Sequence, residues 1–302
     1  MLSVIVPAYQ EELMIFKAAD ALERVLTGAG IAYELIFVDD GSTDGTWERI
    51  ESAAAQDERI HGLRFSRNFG KESAIMAGLT EAKGDCCVVI DCDLQHPPEK
   101  ISEMHALWQQ GFEVIEGQKN SRGDESAAHS FAAGCFYSLI SSATGIDMSR
   151  ASDFKLLDRK AVNVLINMRE KNAFFRALSS WIGFKTAAVG FDVQQRGEGQ
   201  SKWSTFSLIK YALSNLSSFS TVPMQLVTLL GVVMLVVSVV FGSIALAQKI
   251  AGQAVEGFTT VILILVFSSS IIMISLGIIG YYIAKIYEEV KGRPRYIISK
   301  TC

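Results

Sequence analysis

Apolar residues dominate the C-terminal third of the chain, with almost no polar interruption. Between Tyr211 and Ala284 only Lys249 and Glu256 carry a charge, and they separate two apolar runs, about 223–247 and 258–284. Each run exceeds the roughly 20 residues that a helix needs to span a ~30 Å hydrocarbon core. The pattern therefore predicts a hairpin of two transmembrane helices. A pair of core helices in a soluble protein is the alternative, but such helices rarely run so long without polar residues.

Basic residues flank this hairpin on one side. Lys202 and Lys210 precede the first run, and the segment 285–302 holds Lys285, Lys291, Arg293, Arg295 and Lys300. Because positive residues stay on the cytoplasmic side, we expect both chain ends in the cytosol and a multi-pass location in the inner (plasma) membrane. Segment 285–302 is then a basic cytosolic tail. Segment 201–222 is expected to be an interfacial amphipathic helix, or a helix packed on the soluble domain.

The first 200 residues alternate short β-branched runs with helix-like segments. Strands are expected at 2–6, 33–38, 60–65, 86–90, 153–157 and 187–194. Helices are expected near 11–28, 44–56, 69–83, 99–110, 159–168 and 172–182. This alternation predicts a cytosolic α/β domain over 1–200 with a Rossmann-like, mostly parallel sheet. Ligands of such sheets bind beyond the carboxyl ends of the strands, which is where the acidic residues of this chain cluster.

Charge and cysteine content narrow the functional classes. The net charge of −4 gives no support for nucleic-acid binding, and the basic excess beside the spans fits anionic lipid headgroups. The five cysteines are odd in number and lack a C-x-x-C spacing, so they indicate neither a disulfide framework nor a zinc site.

The sharpest local motif is V-V-I-D-C-D-L-Q-H-P-P-E at 88–99. Asp91 and Asp93 follow a buried strand, and Gln95 follows them, so three hard oxygen donors stand close together. Such donors suit Mg²⁺ or Mn²⁺, which neutralises charge on a leaving diphosphate. Carboxylates at a strand end are also common as turn or capping residues. We do not assign His96 as a ligand, because the prolines beside it indicate a turn and magnesium prefers oxygen.

Further motifs accompany D-C-D in order along the chain: V-P-A-Y-Q-E-E at 6–12, F-V-D-D-G-S-T-D-G-T at 37–46, R-N-F-G-K-E at 67–72, S-D-F-K-L-L-D-R at 152–159, R-G-E-G-Q-S-K-W-S at 196–204 and K-G-R-P-R-Y-I-I at 291–298. Over essentially its whole length the chain resembles family-2 glycosyltransferases of the GT-A fold. Within them it resembles the polyprenyl-phosphate glycosyltransferases, such as bactoprenol glucosyltransferases and dolichol-phosphate mannose synthases.

The resemblance implies two groups of donor-side residues. The nucleotide-sugar group comprises Pro7, Tyr9, Glu11, Asp39, Asp40, Asp91, Lys119 and Arg122. The metal group comprises Asp91, Asp93 and Gln95, with Mg²⁺ or Mn²⁺ as cofactor. Carboxylates suit the first task because they accept hydrogen bonds from a base or a ribose. Lys119 and Arg122 compete for one basic position, and either can instead be a solvated loop charge.

The resemblance also implies residues for transfer and for the acceptor. Asp153, Arg196 and Lys202 are the expected catalytic residues. The acceptor phosphate is expected to contact Lys155, Arg196, Ser201, Lys202 and Trp203. A prenyl phosphate is already an anionic nucleophile near neutral pH, because its second pKa is about 6. Asp153 is therefore a base that accepts the last proton, a residue that orients the attacking phosphate through Lys155, or a residue that holds the metal-bound donor. The lysine at 155 stands where family members often carry arginine.

Taken together, these features predict inverting transfer of one hexose to a polyprenyl (undecaprenyl) phosphate at the cytosolic face. The preferred donor in this prediction is UDP-glucose, so that the transferred sugar is glucose. Another donor, such as GDP-mannose, UDP-GlcNAc or a UDP-arabinose derivative, is the enzymatic alternative. A non-catalytic nucleotide-sugar-binding scaffold for a flippase is the alternative from another class. The resemblance alone implies a homo-oligomer, for which a tetramer is one form.

Overall fold

The computed structural model describes residues 1–120, 151–168, 175–192, 222–251 and 257–302. These residues form eight strands and eight helices. The chain divides into two compact units, one of Met1–Leu208 with Pro294–Cys302 and one of Ile209–Arg293.

The described strands all belong to one sheet in the first unit. They are β1 (Leu2–Ala8), β2 (Tyr33–Asp39), β3 (Ile60–Phe65), β4 (Cys86–Val89), β5 (Val114–Lys119), β6 (Ala151–Asp158), β7 (Thr186–Phe191) and β8 (Ile298–Thr301). The helices of this unit are α1 (Ile15–Gly28), α2 (Thr46–Ala54), α3 (Lys71–Glu81), α4 (Lys100–Gln109), α5 (Arg159–Asn167) and α6 (Phe175–Trp181). The strands and helices expected from the apolar pattern are thus present, with small shifts at their ends.

The sheet is mixed but mostly parallel, in the order β7-β5-β6-β4-β1-β2-β3-β8. Its central strands β4, β1, β2 and β3 are parallel neighbours. Strands β1 and β2 are buried at every position, as expected for strands covered on both faces. The parallel arrangement brings the carboxyl ends of these strands to one edge.

Strand β6 runs antiparallel between β4 and β5, and this brings a second set of polar residues to the same edge. Val89 is paired with Lys155 in the register of β4 with β6. Because antiparallel partners move in opposite directions along the chain, the segment after β4 meets the start of β6. Asp91 is thereby placed beside Asp153.

The end of segment 285–302, which is expected to be a basic cytosolic tail, forms a strand of the sheet. Strand β8 pairs antiparallel with the edge strand β3. The Cys302 N–H donates to the Gly62 carbonyl at 3.0 Å, and the Ser66 N–H donates to the Ile297 carbonyl at 3.0 Å. Residues 294–302 therefore belong to the α/β unit, which revises the expected boundary of 1–200.

We expect Tyr296→Ala to lower the free energy of unfolding by about 1–2 kcal/mol, because the half-buried Tyr296 ring stacks on Phe65 with centroids 5.1 Å apart. Denaturant unfolding of the full chain, followed by the fluorescence of the buried Trp47, measures the change. Tyr296→Phe keeps the ring and should match the wild type. Equal stability of the alanine variant would show that the stacking adds nothing.

The second unit contains two long apolar helices, α7 (Val222–Ile250) and α8 (Phe258–Val290). Each contains a stretch long and apolar enough to cross a membrane, Val227–Ile244 with mean hydropathy 2.6 and Ile264–Val290 with mean hydropathy 2.1. None of either stretch is buried within the protein. Length and composition are therefore those of membrane-spanning helices, as the sequence predicts.

Candidate active site

The loops after β1 and β2 are joined by hydrogen bonds into one surface. The Gln10 N–H donates to the Ser42 hydroxyl at 2.9 Å, and the Glu11 N–H donates to the Thr46 hydroxyl at 3.0 Å. Gln10 adopts a φ of 56°, a conformation uncommon for a residue with a side chain. Of the residues predicted here, Tyr9 is 43% exposed, whereas Pro7 is buried within β1.

Asp39 lies at the end of β2 and is fully buried. Its Oδ1 accepts a hydrogen bond from the Ser42 N–H at 2.9 Å. Its Oδ2 is 3.3 Å from Arg64 Nε and makes no hydrogen bond. A buried carboxylate oxygen without a hydrogen bond is costly. Asp39 thus retains an acceptor that a base N–H or a ribose hydroxyl would satisfy.

Asp40 binds the backbone of the loop that leads into α3. Its carboxylate accepts hydrogen bonds from the N–H of Phe69 at 2.7 Å and of Gly70 at 3.0 Å. Gly41 has a φ of +69°, and a Cβ there would lie 2.4 Å from the Arg67 carbonyl carbon. Burial raises the pKa of Asp40 to about 6, against the lowering effect of the two N–H donors. Asp40 therefore shapes the loop that leads into α3.

This raised pKa predicts a specific pH dependence of stability. The folded protein holds the Asp40 proton up to about pH 6, whereas an unfolded aspartate loses it near pH 4. The contribution of Asp40 to stability therefore falls as pH rises from about 4 to 6 and is constant above about 7. We expect the unfolding free energy of the wild type minus that of Asp40→Asn to follow this curve in urea titrations. A flat difference between pH 4 and 7 would contradict the assignment.

The strand ends of β4 and β6 meet at a cluster of four charged side chains. Lys71, the first residue of α3, places its Nζ 2.6 Å from Asp91 Oδ1 and 2.8 Å from Asp153 Oδ2. Arg176 of α6 donates to both oxygens of Asp153, each at 2.8 Å. Asp153 is 8% exposed, whereas the side chains of Lys71 and Arg176 are 42% and 25% exposed. Two cations therefore surround one buried carboxylate and keep part of their surface open.

The pKa values follow from this arrangement. Burial alone would raise the pKa of Asp153, but Lys71 and Arg176 outweigh it and hold the pKa well below its usual range. Burial likewise would lower the pKa of Lys71, but Asp153 and Asp91 raise it above its usual value. Burial and the charge of Asp153 raise the pKa of nearby Glu72 to about 8. Lys71 and Asp153 are thus charged at neutral pH, and Glu72 is mostly neutral.

The donor set of the D-C-D segment fits a divalent cation bound together with a phosphate ligand. Asp91 and Asp93 are partly exposed, and the Gln95 N–H donates to Asp93 Oδ1 at 3.1 Å. Within the described part of the chain, no three His, Cys, Asp or Glu side chains are grouped to hold a metal unaided. Mg²⁺ characteristically takes one or two carboxylates and completes its shell with water and substrate phosphates. The residues present therefore suit such a shared site.

His96 lies behind this segment and packs as part of the core. It is 6% exposed and stacks on Phe154 with ring centroids 5.3 Å apart. Its Nδ1 has no hydrogen-bond partner and lies 3.7 Å from Asp91 Oδ2. Burial lowers the pKa of His96. A neutral imidazole between aromatic rings agrees with leaving His96 out of the metal group.

Lys155 does not occupy the position expected for a residue that binds the acceptor phosphate. Its side chain is fully buried, and its Nζ lies 2.6 Å from Glu116 Oε1. The same ammonium donates to the hydroxyls of Ser179 and Ser180 at 2.9 and 3.1 Å and to the Arg176 carbonyl at 3.2 Å. The expected phosphate contact is therefore not retained, and Lys155 instead supports α6 from within.

The remaining predicted residues are dispersed or undescribed. Lys119 is exposed at the end of β5. Outside the described residues lie Arg122, Arg196, Ser201, Lys202, Trp203 and, except for its last residue, the expected amphipathic helix of 201–222. Sequence reasoning assigned no role to Lys71 or Arg176. The signal for Lys71 was its place in R-N-F-G-K-E at a strand end, whereas nothing in the sequence marked Arg176.

Comparison with known proteins decides the family. The model of glycosyl transferase family 2 matches residues 3–165. The chain belongs to glycosyltransferase family 2. It is 34% identical over 99% of its length to the prophage bactoprenol glucosyl transferase homolog of Escherichia coli K12, covering 98% of that protein. It is 32% identical to the bactoprenol glucosyl transferase of Shigella phage SfII, with the same coverage of both chains.

These full-length matches confirm the resemblance to polyprenyl-phosphate glycosyltransferases and identify this family-2 chain as a glycosyltransferase. A relative from Synechocystis, an uncharacterized glycosyltransferase, is 36% identical over 99% of this chain and 94% of its own. Among solved structures, mannosyl-3-phosphoglycerate synthase from Rubrobacter xylanophilus matches with a TM-score of 0.50 and 15% identity over 72% of each chain. That likeness concerns the fold alone and agrees with the GT-A architecture expected from the sequence.

Proposed function

We propose that this glycosyltransferase moves one hexose to the phosphate of a polyprenyl phosphate in the membrane. The hexose we propose is glucose, with UDP-glucose as its donor. The observation that carries the proposal is the near-complete alignment with proteins named bactoprenol glucosyl transferases. The site supports it, because Asp39, Asp91 and Asp153 stand at one edge of the sheet, where the partly exposed cations Lys71 and Arg176 contact the last two.

In the proposed reaction an oxygen of the acceptor phosphate attacks the anomeric carbon as the bond from that carbon to the diphosphate breaks. The nucleoside diphosphate leaves with the bonding electron pair, and the configuration inverts. Asp91, Asp93 and Gln95 would hold Mg²⁺ or Mn²⁺, which supplies charge neutralisation on the departing diphosphate. Asp39 would orient the nucleoside through the oxygen that makes no hydrogen bond within the protein.

Asp153 is better suited to positioning than to proton abstraction. Its pKa lies well below the usual range, and both of its oxygens are engaged by Lys71 and Arg176. A carboxylate of low pKa is a weak base. The acceptor needs no strong base, since a phosphate monoester is already largely dianionic at pH 7. Asp153 would therefore hold the two cations where the phosphates meet.

Chain connectivity supports the proposed membrane arrangement. Met1–Leu208 and Pro294–Cys302, which precede and follow the second unit along the chain, belong to the same compact unit. If α7 crosses the membrane, α8 must cross it back for β8 to rejoin the sheet. Together with the basic flanks, this favours a hairpin with the α/β unit on the cytosolic side. Homo-oligomerisation stays a prediction.

The test is a donor and acceptor screen with the purified full-length protein. Undecaprenyl phosphate would be incubated with UDP-glucose, UDP-GlcNAc, GDP-mannose and a UDP-arabinose derivative, and the lipid product identified by mass. We expect a hexosyl lipid from UDP-glucose that requires Mg²⁺ or Mn²⁺. If lipid product formed with only one of the other donors, the sugar of that donor would take the place of glucose in the proposed function. Binding of every donor without any lipid product would instead favour a nucleotide-sugar-binding scaffold.

A further inference from the structure

The ammonium of Lys71 links the donor side of the site to the acceptor side. It contacts Asp91, a predicted metal residue, at 2.6 Å and Asp153 at 2.8 Å. Arg176 donates to both oxygens of Asp153, including the Oδ2 that Lys71 contacts. Lys71 and Arg176 are therefore two cations held by one carboxylate.

The charges of this cluster are balanced only while the Lys71 ammonium pairs with both Asp91 and Asp153. Lys71 and Arg176 carry two positive charges, and Asp91 and Asp153 carry two negative charges. If Asp91 held the divalent cation of the donor, its charge would be balanced there. Lys71, Asp153 and Arg176 would then carry one net positive charge, on partly exposed cationic side chains. This arrangement attracts an anion.

We propose that Lys71 and Arg176, positioned by Asp153, bind the phosphate monoester of the acceptor, and that engagement of Asp91 with the metal-bound donor frees Lys71 for this contact. The inference rests on the proposed function and specifies its acceptor site. It assigns to Lys71 the contact that the buried Lys155 does not make.

The chemistry of the two side chains suits this ligand. A phosphate monoester carries about −1.5 to −2 charge at pH 7 and offers three strong acceptor oxygens. The guanidinium of Arg176 can bind two of them side by side, whereas the ammonium of Lys71 acts as a compact point charge. Because Asp91 and Asp153 both contact the Lys71 ammonium, such a phosphate would lie next to the donor diphosphate, as transfer between them requires.

The experiment measures the binding of farnesyl phosphate to the full-length protein in detergent, by calorimetry, with and without UDP and Mn²⁺. Wild-type protein should bind it several-fold more tightly when UDP and Mn²⁺ are present. Lys71→Met should weaken this binding about tenfold or more, because a charge-assisted contact is lost. Its affinity for UDP with Mn²⁺ should not fall below that of the wild type, because loss of Lys71 leaves Asp91 available to the metal.

Matched variants separate a binding role from a structural one. Lys160→Met removes an exposed lysine of the same unit and should bind as the wild type does. Arg176→Lys keeps a cation on Asp153 but loses the paired contact, so farnesyl phosphate should bind several-fold more weakly. Lys71→Arg keeps the charge and should restore most of the binding that Lys71→Met loses. Unfolding midpoints of all variants establish that folded proteins are compared.

Distinct outcomes would overturn the inference or the function beneath it. Wild-type affinity for farnesyl phosphate in both Lys71→Met and Arg176→Lys would overturn the inference, while transfer by the wild type would uphold the function. Equal competition by inorganic phosphate or by farnesol would mean general anion or prenyl binding, and would overturn the acceptor assignment. Absence of both binding and transfer in the wild type would remove the proposed function itself.

Discussion

Replacing Asp93 with alanine is expected to lower the rate of sugar transfer by about 10²–10³-fold. Asp91 and Asp93 are the two carboxylates of the D-C-D segment, and Asp91 already shares its charge with Lys71. Loss of Asp93 would leave the cation with too few protein ligands. A bound metal contributes several kcal/mol of charge stabilisation in such reactions, and each 1.36 kcal/mol is a factor of ten in rate. Initial rates with UDP-glucose and undecaprenyl phosphate measure the loss.

A second measurement separates metal binding from other causes. The affinity for Mn²⁺ in the presence of UDP should fall in Asp93→Ala together with the transfer rate. Asp20→Ala removes an exposed carboxylate on α1 and should leave both quantities unchanged. Transfer by Asp93→Ala at the wild-type rate would rule out the role assigned to this residue.

Replacing Lys155 with methionine is expected to lower the free energy of unfolding by about 3–5 kcal/mol, since it leaves Glu116 charged, largely buried and without its partner. For a domain of this size the melting temperature should fall by about 10 °C. Burial already lowers the pKa of Lys155, against the raising effect of Glu116. Thermal unfolding of the full chain measures the change.

The double variant Lys155→Met with Glu116→Gln tests the explanation. It removes both charges, while the glutamine carbonyl can still accept the hydrogen bond that Ser180 donates to Glu116 at 2.8 Å. We expect it to recover most of the lost stability, because two neutral groups need no mutual compensation. A double variant as unstable as Lys155→Met would mean that packing, and not charge, determines the effect.

Local pattern was enough to predict most strands and helices of the α/β unit. Buried parallel strands such as β1 and β2 are mostly apolar, so their presence and their first residues follow from the sequence alone. Helix α8 continues to Val290, beyond the apolar run that ends at 284. The added turns contain lysine and glutamate, which are good helix formers although they do not belong in a membrane core.

Long-range pairing explains what the sequence did not reveal. Strand β8 is short, and its partner β3 lies more than 230 residues earlier, so no local signal distinguishes it from a solvated tail. Asp153 and Lys155 lie two residues apart on one strand and point to the same face. Only the packing of α6 shows that Arg176 contacts Asp153 while Lys155 is enclosed beneath that helix.

The return of β8 to the sheet also constrains biogenesis. Residues 294–302 are synthesised after both apolar helices, so in the proposed membrane arrangement β3 would still lack its partner β8 when the helices enter the membrane. Exposed strand edges promote association between chains. We infer that the α/β unit completes its folding only after membrane insertion. Active enzyme would then form only where it is already anchored in the membrane.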